Sequence, residues 1–391
     1  MPGDPWTRVR PVNICIVVAA PITLKAFLVG HLSALAERAN ITLVADFGPE
    51  DDQFPWPGNV SRIRLPIRRK IAPWSDGANL FSLYRLFRRR SFDIVQSVTP
   101  KAGLLTMTAA WMARCPRRVH WFTGQVWVTR TGLMRSLLKS ADRLIARLAS
   151  QILVDSASQR EYLIAQGIVP AAKSAVLARG SICGVDTARF RPDAAARERV
   201  RRRHGIPVDS VVYLYLGRIN RDKGVLDLVH AFADAGVWHG GAHMLLVGPD
   251  EGNLRAALAS ATAVCADRLH HADATDRPEE YFAAADVFCL PSYREGFGTT
   301  ILEAAATGVP AVGSRIYGIT DAIVEGETGL LFEAGNIGQL AQSLRTLGGD
   351  TGLRRSMGEK ARERAVRDFS SAVVTAALLE LYGRLLTRHG K

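Results

Sequence analysis

With 391 residues, 48% of them apolar and 22% charged, the chain is long enough for two cores and shows no low-complexity tract or internal repeat, which excludes a disordered scaffold and a repeat array. Its formal charge of +13 is uneven, because residues 1–190 hold 26 Lys and Arg against 12 Asp and Glu while residues 191–391 hold 24 against 25. A basic half implies an anionic partner: nucleic acid, an acidic membrane surface or a phosphorylated substrate.

Arg8 and Arg10 precede "VNICIVVAA" much as a basic lead-in precedes a signal peptide's apolar core. Pro21 follows, however, and the run passes into the amphipathic "FLVGHLSALAER", so the stretch reads as the first strand and helix of an α/β domain. "ITLVADF", "DIVQSV", "RRVHWF" and "QILVDS" continue as strands with helical segments between them. Their near-continuous Val, Ile and Leu suit a parallel sheet covered on both faces. "VDTARFRPDAAARERVRRRHGIPVDS" is charged and carries Pro192 and Pro207, as a linker with a short surface helix would. From about residue 211 the pattern restarts, with "VVYLYLG", "HMLLVG", "VFCLPS" and "VPAVGS" as strands and "GVLDLVHAFAD" and "TTILEAAATG" as helices. Two doubly wound α/β domains are expected, over residues 1–190 and 209–365, with a linker at 191–208 and a final helix at 366–391 returning to the first domain. The longest uncharged stretch, Ala235 to Pro249, is too short and too polar to cross a bilayer. Cys15, Cys115, Cys183, Cys265 and Cys289 form no CxxC pair, which argues against a disulfide framework and a zinc site and for a reducing compartment.

In parallel α/β sheets, ligands bind beyond the carboxyl ends of the strands. Two such ends in the second half carry chemistry. "GRINRDKG" follows one strand and supplies Arg218 and Lys223; "YREGFGTT" follows another and turns onto a helix. Gly296 and Gly298 let a ligand approach the backbone, and the amides of Thr299, Thr300 and Ile301 at the helix start form an anion site. Together these features suit a diphosphate. Glu303, one turn into that helix among small residues, suits a vicinal diol such as a ribose, or else a solvated helix face. Glu295, in the loop, could bind sugar hydroxyls or stabilise charge at a reacting carbon.

The segment "LPSYREGFGTTILEAAATGVPAVGS", with Glu295 and Glu303 separated by seven residues, resembles the E-x7-E motif of retaining nucleotide-sugar glycosyltransferases of the GT-B fold, family 4. "YLGRINRDKGVLDLVHAFA", "AAADVFCLPS" and "VEGETGLLFEAGN" resemble the family's other blocks in the same order; "RRVHWFTGQVW", "VDSASQREYL" and "GVDTARF" resemble it more loosely. The resemblance implies two Rossmann-like domains facing each other across a deep cleft. It also implies that Arg218 and Lys223 bind the donor diphosphate and stabilise the leaving nucleotide. Glu303 would hold the ribose, Glu295 with the backbone of Gly296, Phe297 and Gly298 the donor sugar, and Thr299 and Thr300 would complete the phosphate site. No cofactor, metal or enzymic nucleophile is required. Asp273 and Asp276 of "DATD" read as turn or helix-start residues.

The departures fall in the first half. Thr123 stands before Gly124 where a histidine is frequent, "APITLKAF" replaces a glycine-rich turn, and Cys183 precedes "GVD" in place of asparagine. Thr123, Gly124 and Lys25 are assigned to the acceptor side; His120 reads as a core histidine satisfied within its strand. In "GLMRSLLKSADRLIARLAS", Arg135, Lys139, Arg143 and Arg147 form one stripe beside an apolar face, and "LFSLYRLFRRR" is a second basic helix. Either the apolar faces pack on the sheet, or they lie on an anionic bilayer. With the basic first half, the pattern points to a cytoplasmic protein peripheral on the inner face of the membrane. Its donor would be a UDP-sugar, and its acceptor a polyprenyl-diphosphate-linked or other saccharide of cell-surface polysaccharide assembly. The competing readings are a nucleic-acid or membrane-binding module on a degenerate scaffold and a nucleotide-sugar epimerase. The first lacks aromatic platforms and nucleic-acid motifs.

Overall fold

A computed structural model of the chain describes Trp6 and residues 10–68 and 72–387. Arg8, read above as part of a basic lead-in, lies outside the described residues. The chain divides into two compact units, Met1–Cys183 with Ser371–Lys391, and Gly184–Ser370.

The first unit holds a parallel sheet of seven strands: β1 (Val12–Val17), β2 (Ala39–Ala45), β3 (Val60–Arg64), β4 (Ile94–Val98), β5 (Arg118–Phe122), β6 (Gln151–Val154) and β7 (Ser174–Val176). Their spatial order is β3-β2-β1-β4-β5-β6-β7, so the winding reverses between β1 and β4. Along β1, Ile14 and Ile16 enter one core while Cys15 and Val17 enter another on the opposite face, which is why the strand reads as a continuous apolar run. The second unit repeats the design with six parallel strands: β8 (Val212–Leu216), β9 (His243–Val247), β10 (Leu269–Ala272), β11 (Val287–Leu290), β12 (Ala311–Ser314) and β13 (Gly329–Phe332). Their order is β10-β9-β8-β11-β12-β13. Val212 and Leu214 face one core and Tyr213 and Tyr215 the other.

The final helix, Ser371–Thr387, belongs to the first unit and packs on the helix Val29–Ala36. His31 anchors it: Nε2 donates to the Ile182 carbonyl at 2.7 Å and Nδ1 accepts from the Thr375 hydroxyl at 2.8 Å. Burial lowers the pKa of this ring and keeps it neutral, as the two bonds require. Tyr382, fully buried, donates to Gln96 on β4.

The boundaries differ from those expected. The first unit stops at Cys183 rather than 190, and the second runs to Ser370 rather than 365. The segment read as a linker is part of the second unit, where its helix Ala194–Arg203 packs on the helix Pro278–Ala284. The cause is Arg201, 2% exposed, which pairs with Asp286 at 2.6 Å and donates to the carbonyls of Ala284, Val208 and Ser210 at 3.1, 2.8 and 2.8 Å. A charge run that looks solvated in sequence is thereby neutralised from inside. Replacing Arg201 by Met leaves a buried acceptor set, with Asp286 served only by Arg197 and the Val212 amide among the described residues. It should lower the unfolding free energy in urea by about 3 kcal/mol, whereas Arg202→Met, which loses only a surface pair with Glu198, should change it by about 0.5 kcal/mol or less.

Candidate active site

Two loops at the carboxyl ends of β8 and β11 bring together Lys223 and Glu295, two of the residues assigned to the donor from sequence. Gly224 has φ +65°, and a Cβ there would lie 2.0 Å from the Pro291 carbonyl oxygen, so only glycine lets the β8 loop settle on the end of β11. The Tyr293 amide donates to the Asp222 carbonyl at 2.9 Å across the same seam. Lys223 thus reaches Glu295, Nζ to Oε1 2.5 Å, both side chains largely shielded. The buried Ser292 hydroxyl donates to the same oxygen at 2.8 Å. One residue back on each loop, Arg294 faces Asp222 at 3.4 Å, so Asp222-Lys223 and Arg294-Glu295 cross-pair. Ser292, Asp222 and Arg294 were missed from sequence; their adjacency to Lys223 and Glu295 was the available signal.

Arg218 is exposed and pairs with Glu251 at 3.1 Å rather than with the Lys223–Glu295 group. Its carbonyl accepts from the Tyr215 hydroxyl at 2.7 Å, which fixes the loop at the strand end. The two cations assigned to one diphosphate are therefore each held by a different carboxylate.

Beyond Glu295 the chain turns through Gly298, φ +76°, into the helix Thr299–Ala306. Among the described residues, the amides of Gly296, Phe297, Gly298, Thr299 and Thr300 donate to no protein acceptor. Ile301, expected to share in the anion site, does not: its N–H is taken by the Gly298 carbonyl at 2.8 Å because the helix starts with a tight turn. Free amides at a helix start are the kind of donors that can receive an anion. The Phe297 side chain points the other way, into the core against Phe369 at 5.3 Å between ring centroids, and holds the loop down.

Glu303 is half-buried, and its carboxylate makes no hydrogen bond or ion pair among the described residues. Loss of water pushes its pKa up to about 8; the Arg189 guanidinium offsets this in part and the Glu279 carboxylate adds to it. Arg189 was not foreseen near Glu303, and it is itself paired with Glu279 at 2.8 Å. A desolvated carboxyl without donors is a site that two hydroxyl donors would complete.

In the first unit, Thr123 and Gly124 close β5. The Thr123 carbonyl accepts from the side-chain amides of Gln125 at 2.7 Å and Gln159 at 2.8 Å. Lys25 is bound elsewhere, to Asp51 at 2.6 Å and over the Phe54 ring at 5.1 Å. Burial alone would raise the Asp51 pKa, but the Lys25 ammonium and the Gly48 amide outweigh it and lower it. The three acceptor-side residues are thus two separate features. His120 is buried as expected, yet only Nδ1 is satisfied, by Ser97 at 2.8 Å; Nε2 has no partner. Asp273 pairs with Arg255 at 2.7 Å, and the described residues contain no cluster of metal ligands.

Two doubly wound parallel-sheet domains are the architecture of the GT-B glycosyltransferases. Residues 196–364 match the family model "Glycosyl transferases group 1" and residues 28–180 match "Glycosyl transferase 4-like domain". The chain belongs to the family 4 glycosyltransferases and is an enzyme of the hexosyl-transferring class. It is 29% identical over 365 residues to the capsular polysaccharide biosynthesis glycosyltransferase CapM of Staphylococcus aureus, covering 91% of this chain and 93% of that one. It is 35% identical over 223 residues to a D-inositol 3-phosphate glycosyltransferase of Corynebacterium efficiens, 52% of this chain and 50% of that one. The fold is shared with HepE of Anabaena, solved in complex with UDP, at a TM-score of 0.79 and 18% identity over 95% of this chain and all of that one.

The raised Glu303 pKa has a sign that can be read. Between pH 4.5 and 8 the folded chain holds this proton and the unfolded chain does not, so the group lowers stability as pH rises through that window. Glu303→Gln should therefore melt above the parent at pH 8, with the gap closing toward pH 4.5. Melting curves of the two proteins that run parallel across the window would show that Glu303 titrates normally.

Proposed function

We propose that the chain transfers a hexose from a UDP-sugar, with retention of anomeric configuration and without a metal, to a lipid-linked saccharide in cell-surface polysaccharide assembly. The observation that carries the donor half is the Lys223–Glu295 pair beside the free amides of residues 296–300. A diphosphate offers Lys223 and the amides the charge they lack, and frees Glu295 to accept hydrogen bonds from sugar hydroxyls. Arg218 adds a second cation at the neighbouring strand end. Glu303 takes the ribose hydroxyls and ionises as they bind. As the bond from the anomeric carbon to phosphate oxygen breaks, its electron pair passes to the phosphate. The acceptor oxygen bonds to the same face of the sugar and gives its proton to that phosphate oxygen. UDP is favoured because HepE, which shares the fold, was solved with it; a polysaccharide acceptor is favoured by the likeness to CapM, a capsular polysaccharide biosynthesis glycosyltransferase.

A donor panel read by thermal shift should find a nucleotide that stabilises the parent and not Glu303→Ala. Lys223→Ala should lose about 10²–10³-fold in kcat, since charge on the departing nucleotide develops only in the transition state. NMR of the product's anomeric proton should show the donor's configuration, unaffected by a chelator. If no nucleotide sugar shifts the parent, the donor assignment fails.

The membrane reading rests on a surface of the first unit. The helix Gly132–Leu148 buries Ile145 and Ala146 but leaves Leu133 87% and Leu137 54% exposed beside its cationic stripe. The helix Pro73–Arg89 likewise exposes Trp74 and Phe81, the latter with the Arg85 guanidinium 5.7 Å from its ring centroid. Both flank the helix Pro100–Met112, which exposes Trp111 and Met112. Apolar residues ringed by cations fit an anionic bilayer at the cytoplasmic face, each cation contributing about 1 kcal/mol near such a surface. The protein should sediment with phosphatidylglycerol vesicles at low salt and be released by Leu133→Asp with Leu137→Asp. Equal recovery of parent and variant in the supernatant removes the reading.

A further inference from the structure

Thr99, the first residue after β4, is held in a conformation that a β-branched residue adopts rarely, φ 75° and ψ 144°. It occupies the N-cap of the 13-residue helix Pro100–Met112, where a threonine hydroxyl usually accepts from the first turn, yet it makes no such bond. Its Oγ1 is buried and without a partner. A strained residue whose hydroxyl neither caps its helix nor meets any other group carries a cost that the local fold does not explain.

A second buried polar atom without a partner among the described residues belongs to His120, which lines the same cavity as Thr99. His120, 1% exposed, uses Nδ1 for the Ser97 hydroxyl, and its ring is pinned against Gly103, where a Cβ would come within 2.4 Å of Cε1. Nε2 is buried and unpartnered. Thr99 and His120 both line one cavity of about 10 Å³, with Thr123, Gly124 and Asp142 in its wall. That is room for one oxygen atom and no more. Asp142 is committed to the Trp127 indole N–H at 2.8 Å. Burial keeps the His120 ring neutral, its pKa lowered to about 3. The ring nitrogen is therefore a single donor or acceptor, and the threonine hydroxyl can serve as the complement. One O–H placed between them satisfies both.

The position is that of a ligand site. β4 pairs with β1 and β5, and the winding of the sheet reverses between β1 and β4, so Thr99 stands at the carboxyl edge beside the switch point, where open α/β sheets bind their ligands. We propose that Thr99 and His120 form a seat for a single hydroxyl group, supplied by the acceptor saccharide or by one bound water. The saccharide source rests on the transferase reading; the seat itself does not.

The test is a crystal structure of the full chain at a resolution that places ordered waters, alone and soaked with methyl glycosides of glucose, galactose and N-acetylglucosamine. An oxygen within hydrogen-bond distance of both Thr99 Oγ1 and His120 Nε2 is expected. A glycoside hydroxyl at that point assigns the seat to the acceptor; a water there in both crystals assigns it to bound solvent. An empty cavity, or an oxygen out of reach of His120 Nε2, overturns the proposal. Thr99→Val keeps the shape and should lose the oxygen, and an oxygen retained unmoved in that variant also overturns it. Thr99→Gly relieves the backbone and should melt above the parent; a lower melting temperature counts against a strained seat. Failure of the transferase reading would leave the oxygen in place, and a dry cavity would leave donor binding untouched, so the two fail separately.

Discussion

Close approach of two strand-end loops is the constraint on which the pairing of Lys223 with Glu295 depends. Because Gly224 lies against the Pro291 carbonyl, residues 220–224 and 291–295 share one seam, and four charges alternate across it. A side chain at 224 would push the loops apart by more than the Lys223–Glu295 bond can stretch. The seam also leaves the amides that follow Glu295 without acceptors, since the chain must turn through Gly298 before the helix begins. Charge and free donors are thus created by the same packing decision.

The two carboxylates of the loop and helix differ in kind. Glu295 is met by an ammonium and a hydroxyl, which supply its carboxylate with donors from within the protein. Glu303 sits among small residues with no donor, so burial raises its pKa and makes its ionisation conditional on what binds. Seven intervening residues place one in the loop before the helix and the other along the helix. Environment, rather than residue type, separates their roles.

Much of this was readable from the chain. Nearly continuous Val, Ile and Leu runs separated by helical segments specify parallel strands, because a strand buried on both faces cannot alternate. Less legible were β3 and β10, "VSRIR" and "LHHA", edge strands whose half-exposed faces carry Arg and His and so lack the apolar signal. The supposed linker failed for a related reason: a run of arginines looks solvated until Asp286 and the Ala284 carbonyl arrive from more than 80 residues away.

By itself the sequence determined the fold class and the family, since periodicity and ordered motif blocks are local properties. Tertiary structure alone decided which charges meet: Lys223 with Glu295, Arg218 with Glu251, Lys25 with Asp51. It also decided which polar groups are left over, the carboxylate of Glu303, the hydroxyl of Thr99 and one nitrogen of His120. Pairing and burial depend on distances between segments remote in the chain, and no spacing along one segment encodes them.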